Sequence, residues 1–231
     1  MGSVLVTGAN RGLGLEFARQ YAADGWEVHA ACREPGEARE LRELSAGSGG
    51  RVRVVGLDVT DSASVRAAAM QLADTPIDLL INNAGVGSPR GQRIGELDYA
   101  AWQRVLDVNT LGPMRVTEAF LENLERGVQK KVVTLTSGMG SIGDNSSGGS
   151  YAYRSSKAAV NMVVKSLSID LRPRGIICIV MNPGWVRTDM GGSGGTLAPA
   201  ESIAAMRKVI AGLKPADSGK FLNYTGKAYA W

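Results

Sequence analysis

Residues 3–14 read "SVLVTGANRGLG", and residues 15–24 continue "LEFARQYAAD" up to Gly25. The opening run "VLV" is apolar without alternation, as a strand buried on both faces should be. From about Leu13 to Asp24 apolar residues return at helical spacing, and Gly25 stops the run. Between strand and helix stand Gly8, Gly12 and Gly14. Glycine permits a tight turn and close backbone approach, and a helix offers the free N–H groups of its first turn to a phosphate. The spacing is G-x-x-x-G-x-G, not the G-x-G-x-x-G of the usual dinucleotide fingerprint. Glycines also gather at strand ends for steric reasons alone, so the loop takes its meaning from the chain around it.

The same alternation repeats outward. Strand-like runs lie at 27–32 ("EVHAAC"), 51–59 ("RVRVVGLDV"), 77–82 ("IDLLIN"), 131–137 ("KVVTLTS") and 175–182 ("GIICIVMN"), with a last one in "KFLNYTG". Helical patterns fall between them: a short polar helix ending near "SAGSGG", one opened by Asp61 or Ser62, a long region from about 98 to 126, one at about 151–172, and one after Pro199. Alternating β and α units predict an α/β fold, a single-domain Rossmann-type doubly wound parallel sheet of about seven strands with helices on both faces. That domain is expected to span residues 1–231, with the Gly/Ser tracts at 45–50 and 191–195 as surface loops.

Composition narrows the function classes. The chain has 231 residues, 44% of them apolar, enough for a sizeable core. No apolar run approaches eighteen residues, so no membrane span is expected. The start "MGSVLVTGANRG" enters a strand directly, without a charged-then-apolar leader, and Cys32 and Cys178 lie in distant apolar runs that suit buried reduced thiols. A cytoplasmic protein is the expectation. The net charge is +4, but lysines and arginines are scattered, which argues for a solvated basic surface and against nucleic acid, while suiting an anionic small ligand. The single histidine, His29, sits inside a strand-like run, a poor start for a zinc site or a Ser-His-Asp hydrolase.

Further motifs follow in order: "LDVT" (57–60), "NNAG" (82–85), Asn109 in the long helical region, Ser137 at the end of the fifth strand, Tyr153 and Lys157 opening the next helix, and "NPGWVRT" (182–188) after the sixth strand. All lie at or beside carboxyl ends of strands, where ligands bind in such sheets. On these motifs, and over essentially its whole length, the chain resembles the short-chain dehydrogenase/reductase family. "TGANRGLG" and the short length look most like its compact carbonyl-reductase and C-factor-like members.

Residues four apart share a helix face and residues six apart do not, so Tyr153 and Lys157 can point into one pocket while Tyr151 cannot easily join them. A surface Tyr and Lys share that spacing on any helix; the glycine loop and Ser137 give it weight here. A phenol titrates near pH 10, and a neighbouring ammonium favours the phenolate, which would suit a general acid/base. The resemblance implies that Lys157 also binds the nicotinamide ribose and that Ser137 bonds the substrate oxygen, with Thr136 and Ser141 as rivals. Pro113, four residues after Asn109, has no N–H to give the Asn109 carbonyl, so the helix should kink there. The family uses this asparagine to hold a water in a proton relay; a simple Gly112-Pro113 break predicts the same kink.

Nucleotide choice is set near the end of the second strand, where an acidic residue binds a ribose 2′-hydroxyl and an arginine a 2′-phosphate. "AACREP" places Cys32 and Arg33 there, with Glu34 adjacent and Arg11 in the glycine loop. In the family two basic residues imply NADP(H), with NAD(H) as the alternative. The resemblance also assigns cofactor contacts to Gly8, Asn10, Arg11, Gly12, Leu13 and Gly14, to Asp58 and Val59, to Asn83, Ala84 and Gly85, and to Pro183, Gly184, Val186 and Thr188. Asp58 could equally cap a helix.

The implied activity is reduction of a small carbonyl, or oxidation of the alcohol, with catalytic Asn109, Ser137, Tyr153 and Lys157. The glycine-rich lid at about 189–199 is expected to be mobile or nearly absent. Trp185, Met190, Ile142 and Met139 are candidate apolar walls. Trp102, Phe120, Met162 and Val163 exceed what one sheet face needs, and family members pair through these helices, so a homodimer or homotetramer is expected. A dinucleotide-binding signalling or regulatory protein is the rival reading. An enoyl reductase fits less well, since that branch spaces its tyrosine and lysine seven apart.

Overall fold

The computed structural model describes residues 2–88 and 93–231. Its strands are β1 (Ser3–Thr7), β2 (Glu27–Cys32), β3 (Val52–Gly56), β4 (Leu79–Asn82), β5 (Lys131–Leu135), β6 (Ile177–Asn182) and β7 (Phe221–Asn223). They form one sheet in the order β3-β2-β1-β4-β5-β6-β7, every neighbouring pair parallel. This is the doubly wound sheet expected from the sequence. β3 and β5 stop short of their apolar runs because the residues beyond them leave the sheet at its carboxyl edge, while β4 and β6 begin two residues later than theirs.

The helices are α1 (Gly12–Ala23), α2 (Arg39–Gly47), α3 (Ser62–Gln71), α4 (Tyr99–Leu106), α5 (Gly112–Ala119), α6 (Leu121–Arg126), α7 (Tyr151–Asp170) and α8 (Pro199–Ala211). Alternate strand residues feed two cores, as a period of two requires. Val4, Val6 and Ile179 pack with Phe17, Leu41 and Met206 on one face. Leu5, Val132 and Val180 pack with Val116, Phe120 and Val164 on the other. Each such side chain contributes about 1.5–3 kcal/mol by burial. Phe120 is therefore core, fully buried, and not the surface residue that pairing of subunits would need. Trp102 is half-buried, its indole N–H donating to Ser155 Oγ at 2.9 Å, and Val163 packs against the second core. Met162 is exposed.

The region 98–126 is not one helix. Asp98 caps α4 by accepting from Ala101 N–H (2.9 Å). A π-helical turn, Asp107–Leu111, follows, in which the Gly112 N–H reaches back to the Asp107 carbonyl. The kink expected from Pro113 takes this form, and Pro113 itself sits in the first turn of α5, where its missing N–H is tolerated. His29 is buried in the middle of β2, and neither ring nitrogen has a partner among the described residues. Burial pushes its pKa below the usual value. Cys32 and Cys178 are buried free thiols. Among the described residues no helix is long and apolar enough to cross a membrane.

Candidate active site

The strand order reverses between β1 and β4, and at such a switch point the connections part and leave a crevice. A cleft of about 640 Å3 lies there. Its floor is the glycine loop. Gly8 and Gly12 hold φ of +64° and +55°, and a Cβ on Gly14 would lie 2.2 Å from the Gly8 carbonyl oxygen and 2.5 Å from Asn83 Nδ2. The glycine spacing thus records a backbone crossing that no side chain allows. Arg11 precedes α1 without a side-chain cap, so the first-turn N–H groups of α1 lack a side-chain acceptor. The Asn83 amide donates to the Thr7 carbonyl (2.8 Å) and the Gly8 carbonyl (3.1 Å), while Thr7 Oγ1 accepts from the N–H groups of Asn83 and Ala84, both at 3.0 Å. These bonds join the loop to the end of β4.

Gly8, Asn10, Arg11, Gly12 and Leu13 line the cleft, as do Asn83, Ala84 and Gly85. Gly14 does not; it acts by letting the loop close. At the far end stand Cys32, Arg33, Asp58 and Val59. Arg33 is exposed and makes no hydrogen bond or ion pair among the described residues. Arg11 instead pairs with Asp189 at 2.7 Å across the mouth. Burial raises the Asp58 pKa, but hydrogen bonds from the Thr60 N–H and hydroxyl and the charges of Arg33 and Arg104 outweigh it, so the carboxyl is held below its usual range. Asp58 caps no helix: α3 is capped by Asp61, which accepts from Ala63 N–H at 2.8 Å.

At the other end Tyr153 and Lys157 enter the cleft together, with the Lys157 ammonium 5.7 Å from the Tyr153 ring centroid. Tyr151 faces a separate cavity of about 380 Å3 with Trp102, Ile142 and Arg154. The Ser137 side chain stands near enough to Tyr153 to act on its phenol, and Ser137 Oγ accepts from Met139 N–H at 3.1 Å. The ammonium does not pull the phenol down as the spacing suggested. Burial is the larger influence and raises the Tyr153 pKa, against a lowering by the Ser137 side chain. Burial acts on Lys157 in the opposite direction and lowers it to about 8. Its Nζ donates to the Leu135 carbonyl at 2.9 Å.

Asn109 lies in the π turn behind the cleft. Its side chain donates to the Val86 carbonyl (2.9 Å) and Ser156 Oγ (3.0 Å) and accepts from Val86 N–H (2.8 Å). Ser156 Oγ donates to the Tyr153 carbonyl at 2.8 Å. Asn109 thereby ties Val86, just after "NNAG", to Ser156 of α7, a link that sequence spacing does not reveal.

After β6, Pro183 and Thr188 line the cleft, but Gly184 and Val186 do not. Val186 is buried and bridges Leu197; Gly184, at φ +82°, is pressed against Leu197 and Tyr224. The lid is neither absent nor an open coil. The Trp185 indole N–H donates to the Gly191 carbonyl (2.8 Å), and the Trp185 carbonyl accepts from Thr196 N–H (2.8 Å) and Leu197 N–H (3.1 Å). A Cβ on Gly191 would lie 2.0 Å from the Val186 oxygen and one on Gly195 2.5 Å from Arg187 N. The glycines permit a compact knot. Met190 reaches the cleft; Trp185 stays on the lid's surface, and Met139 and Ile142 border the separate cavity.

Arg104, Asp107 and Val108 also line the cleft, from α4 and the π turn. Asp107 pairs with Arg115 at 2.6 Å, and Arg115 donates to the Val59 carbonyl at 3.2 Å. Arg104 and Val108 stand four apart and so share a helix face, the one signal in the sequence that joins them.

A glycine-loop crevice at the switch point of a parallel sheet, with a half-buried tyrosine beside a buried lysine at one end, defines a dinucleotide-binding oxidoreductase. Residues 3–196 match the family "short chain dehydrogenase", and the chain belongs to that family. It is 48% identical over 167 residues to the C-signal of Myxococcus xanthus, covering 72% of this chain and 100% of that one. The carbonyl reductase Sniffer of D. melanogaster superposes with a TM-score of 0.94 at 32% identity, covering 100% of both chains. An NADPH-bound carbonyl reductase from chicken fatty liver superposes at 0.91 with 39% identity, covering 99% of this chain and 98% of that one.

Proposed function

We propose that the protein reduces small ketones or aldehydes with NADPH, and oxidises the corresponding alcohols in reverse, with Tyr153 as general acid/base. The observation that carries this reading is the half-buried Tyr153 phenol, beside Lys157 and within the influence of Ser137, in the same cleft as an unpaired arginine. The residues fit a dinucleotide: glycines where a Cβ would close the loop, and a helix start with no side-chain cap. Bound NADPH would supply the hydride. Because its pKa is raised, Tyr153 carries its proton at neutral pH and can give it to the carbonyl oxygen. Ser137 would donate a hydrogen bond to that oxygen as charge develops. Lys157 would leave the Leu135 carbonyl for the ribose hydroxyls, and Asn109 would hold a water toward it. Arg33 favours NADP(H) over NAD(H), since a guanidinium fork matches a 2′-phosphate; the chicken relative is NADPH-bound.

The catalytic unit would span residues 1–231, with the lid at 189–199 over the substrate side. Exposed Tyr99, Leu111, Met114, Met162 and Ile169 on α4, α5, α7 and the π turn support pairing into a homodimer or homotetramer. Reduced buried thiols suit the cytoplasm.

The test is NADPH oxidation over a panel of carbonyl compounds. Tyr153→Phe should lower turnover about 100- to 10,000-fold while NADPH still binds, and Tyr151→Phe should change it little. Binding without turnover on any compound would favour the second reading, a dinucleotide-dependent signalling protein, which the 48% identity to C-signal supports.

A further inference from the structure

The segment Lys227–Trp231 takes no part in the chemistry above, yet it reaches the site. After β7 the chain turns, Ala228 bridges Leu222 in antiparallel sense, and Tyr229 N–H donates to the Phe221 carbonyl at 2.8 Å. The rings of Tyr229 and Trp231 lie on Phe221 at 4.9 and 5.6 Å between centroids, and Phe221 is buried. From this anchor the segment grips the loop that follows Ser137. The Tyr229 hydroxyl donates to Asp144 Oδ2 at 3.1 Å. The Trp231 carbonyl accepts from Gly143 N–H at 2.9 Å and from the Ser141 hydroxyl at 3.3 Å. Gly138, next to Ser137, has no room for a Cβ, which would lie 2.5 Å from the Tyr229 hydroxyl. On the other side the loop rests on α7: a Cβ on Gly140 would lie 2.8 Å from Lys157 Cβ.

We infer that Lys227–Trp231 is a positioning element of the active site, in which Tyr229 sets Ser137 against Tyr153 through the Gly138–Asp144 loop. This rests on the reductase reading, which gives Ser137 its contact with the substrate oxygen. A hydroxyl that must meet a reacting oxygen has to be held within about 0.5 Å by its surroundings. The loop after Ser137, "GMGSIGD", is rich in glycine, and its Ile142 is exposed. Its placement therefore has to come from outside, and α7 and this segment clamp it from two sides.

The experiment compares Tyr229→Phe, Asp144→Ala, Ser137→Ala and the double variants by steady-state kinetics, NADPH affinity and amide exchange of residues 138–144. Tyr229→Phe should lower kcat about three- to tenfold, the order of one lost hydrogen bond, with KM and NADPH affinity unchanged and faster exchange at Gly143 and Asp144. Adding Asp144→Ala should cost nothing further, and neither should adding Tyr229→Phe to Ser137→Ala, because all act through one contact. Trp231→Ala, which removes the second ring from Phe221, should give the same loss confined to kcat. An unchanged kcat in Tyr229→Phe, with Ser137→Ala impaired, overturns the positioning role and leaves the reductase reading standing. Full additivity with Ser137→Ala also overturns it. An unimpaired Ser137→Ala would instead refute the assigned role of the serine, and the positioning role with it.

Discussion

Replacing Lys157 with methionine should make the cofactor-free protein more stable at pH 7 while disabling the site. The lysine is 6% exposed, and burial lowers its pKa from 10.5 to about 8. The folded state therefore holds the proton less tightly than the unfolded chain does, yet the ammonium still predominates at pH 7. One pKa unit is about 1.4 kcal/mol, so the shift corresponds to a folding penalty of about 3 kcal/mol at pH 7. The penalty is fully present below pH 8 and is relieved as pH rises toward 10.5, leaving about 1 kcal/mol at pH 10. Methionine has similar volume and no charge, but it abandons the bond to the Leu135 carbonyl, a loss of about 1 kcal/mol. The variant should thus exceed the parent by about 2 kcal/mol at pH 7, and the gap should close by pH 10. Urea unfolding of both proteins at several pH values between 7 and 10, without dinucleotide, measures the difference directly, and effects of other groups cancel in it. A gap that does not move with pH, or a variant that is the weaker protein at pH 7, would refute the view that this site stores a buried charge for the ligand to use.

Arg33→Ala should weaken NADPH about tenfold or more and leave NADH nearly unchanged in a fluorescence titration, since a charge-assisted contact contributes roughly 1.5–3 kcal/mol; equal losses would make Arg33 structural. His29 should add to acid sensitivity. Its folded pKa is lowered, so the protein loses stability as pH falls below about 6.5, and His29→Leu should flatten that part of the profile of melting temperature against pH.

The repeating alternation of β and α runs was enough to predict the seven-stranded sheet, because buried parallel strands carry a dense apolar signal. The glycine loop was legible for a related reason: Gly8 and Gly14 meet backbone across a gap too small for any side chain. Other features depend on contacts between distant residues, which spacing does not encode. The raised phenol is one, since burial of Tyr153 is a property of the folded surroundings. Burial of Phe120 in the core is another, because an apolar helix face reads alike whether it meets a sheet or a second subunit. The lid was misread because glycine signals chain freedom and close packing with the same letter. In Gly191 and Gly195 it is packing that requires them, each lying where a Cβ would strike the backbone of residues 186–187.

These features divide the molecule into a regular part and an irregular part. The machinery that would move a proton lies on β1, β4, β5, the π turn and α7, all within the residues 3–196 that match the family. The proposed substrate side is built differently, from three stretches with at most one short helical turn: 138–144, 185–197 and 227–231. The last lies wholly outside that match, although Tyr229 and Trp231 touch the loop beside Ser137. Strands and helices would suit proton-transfer groups because proton transfer needs fixed distances. Loops that are rich in glycine and pinned by a few hydrogen bonds can change shape with few substitutions and leave the sheet intact. Substrate preference should therefore follow exchange of the 185–197 and 227–231 segments more than any change in the sheet. Grafting both segments from a relative onto this chain should carry over the relative's ranking of carbonyl compounds while leaving NADPH affinity as it is. A ranking that stays with the sheet and α7 would place the choice of substrate in the sheet and α7 instead.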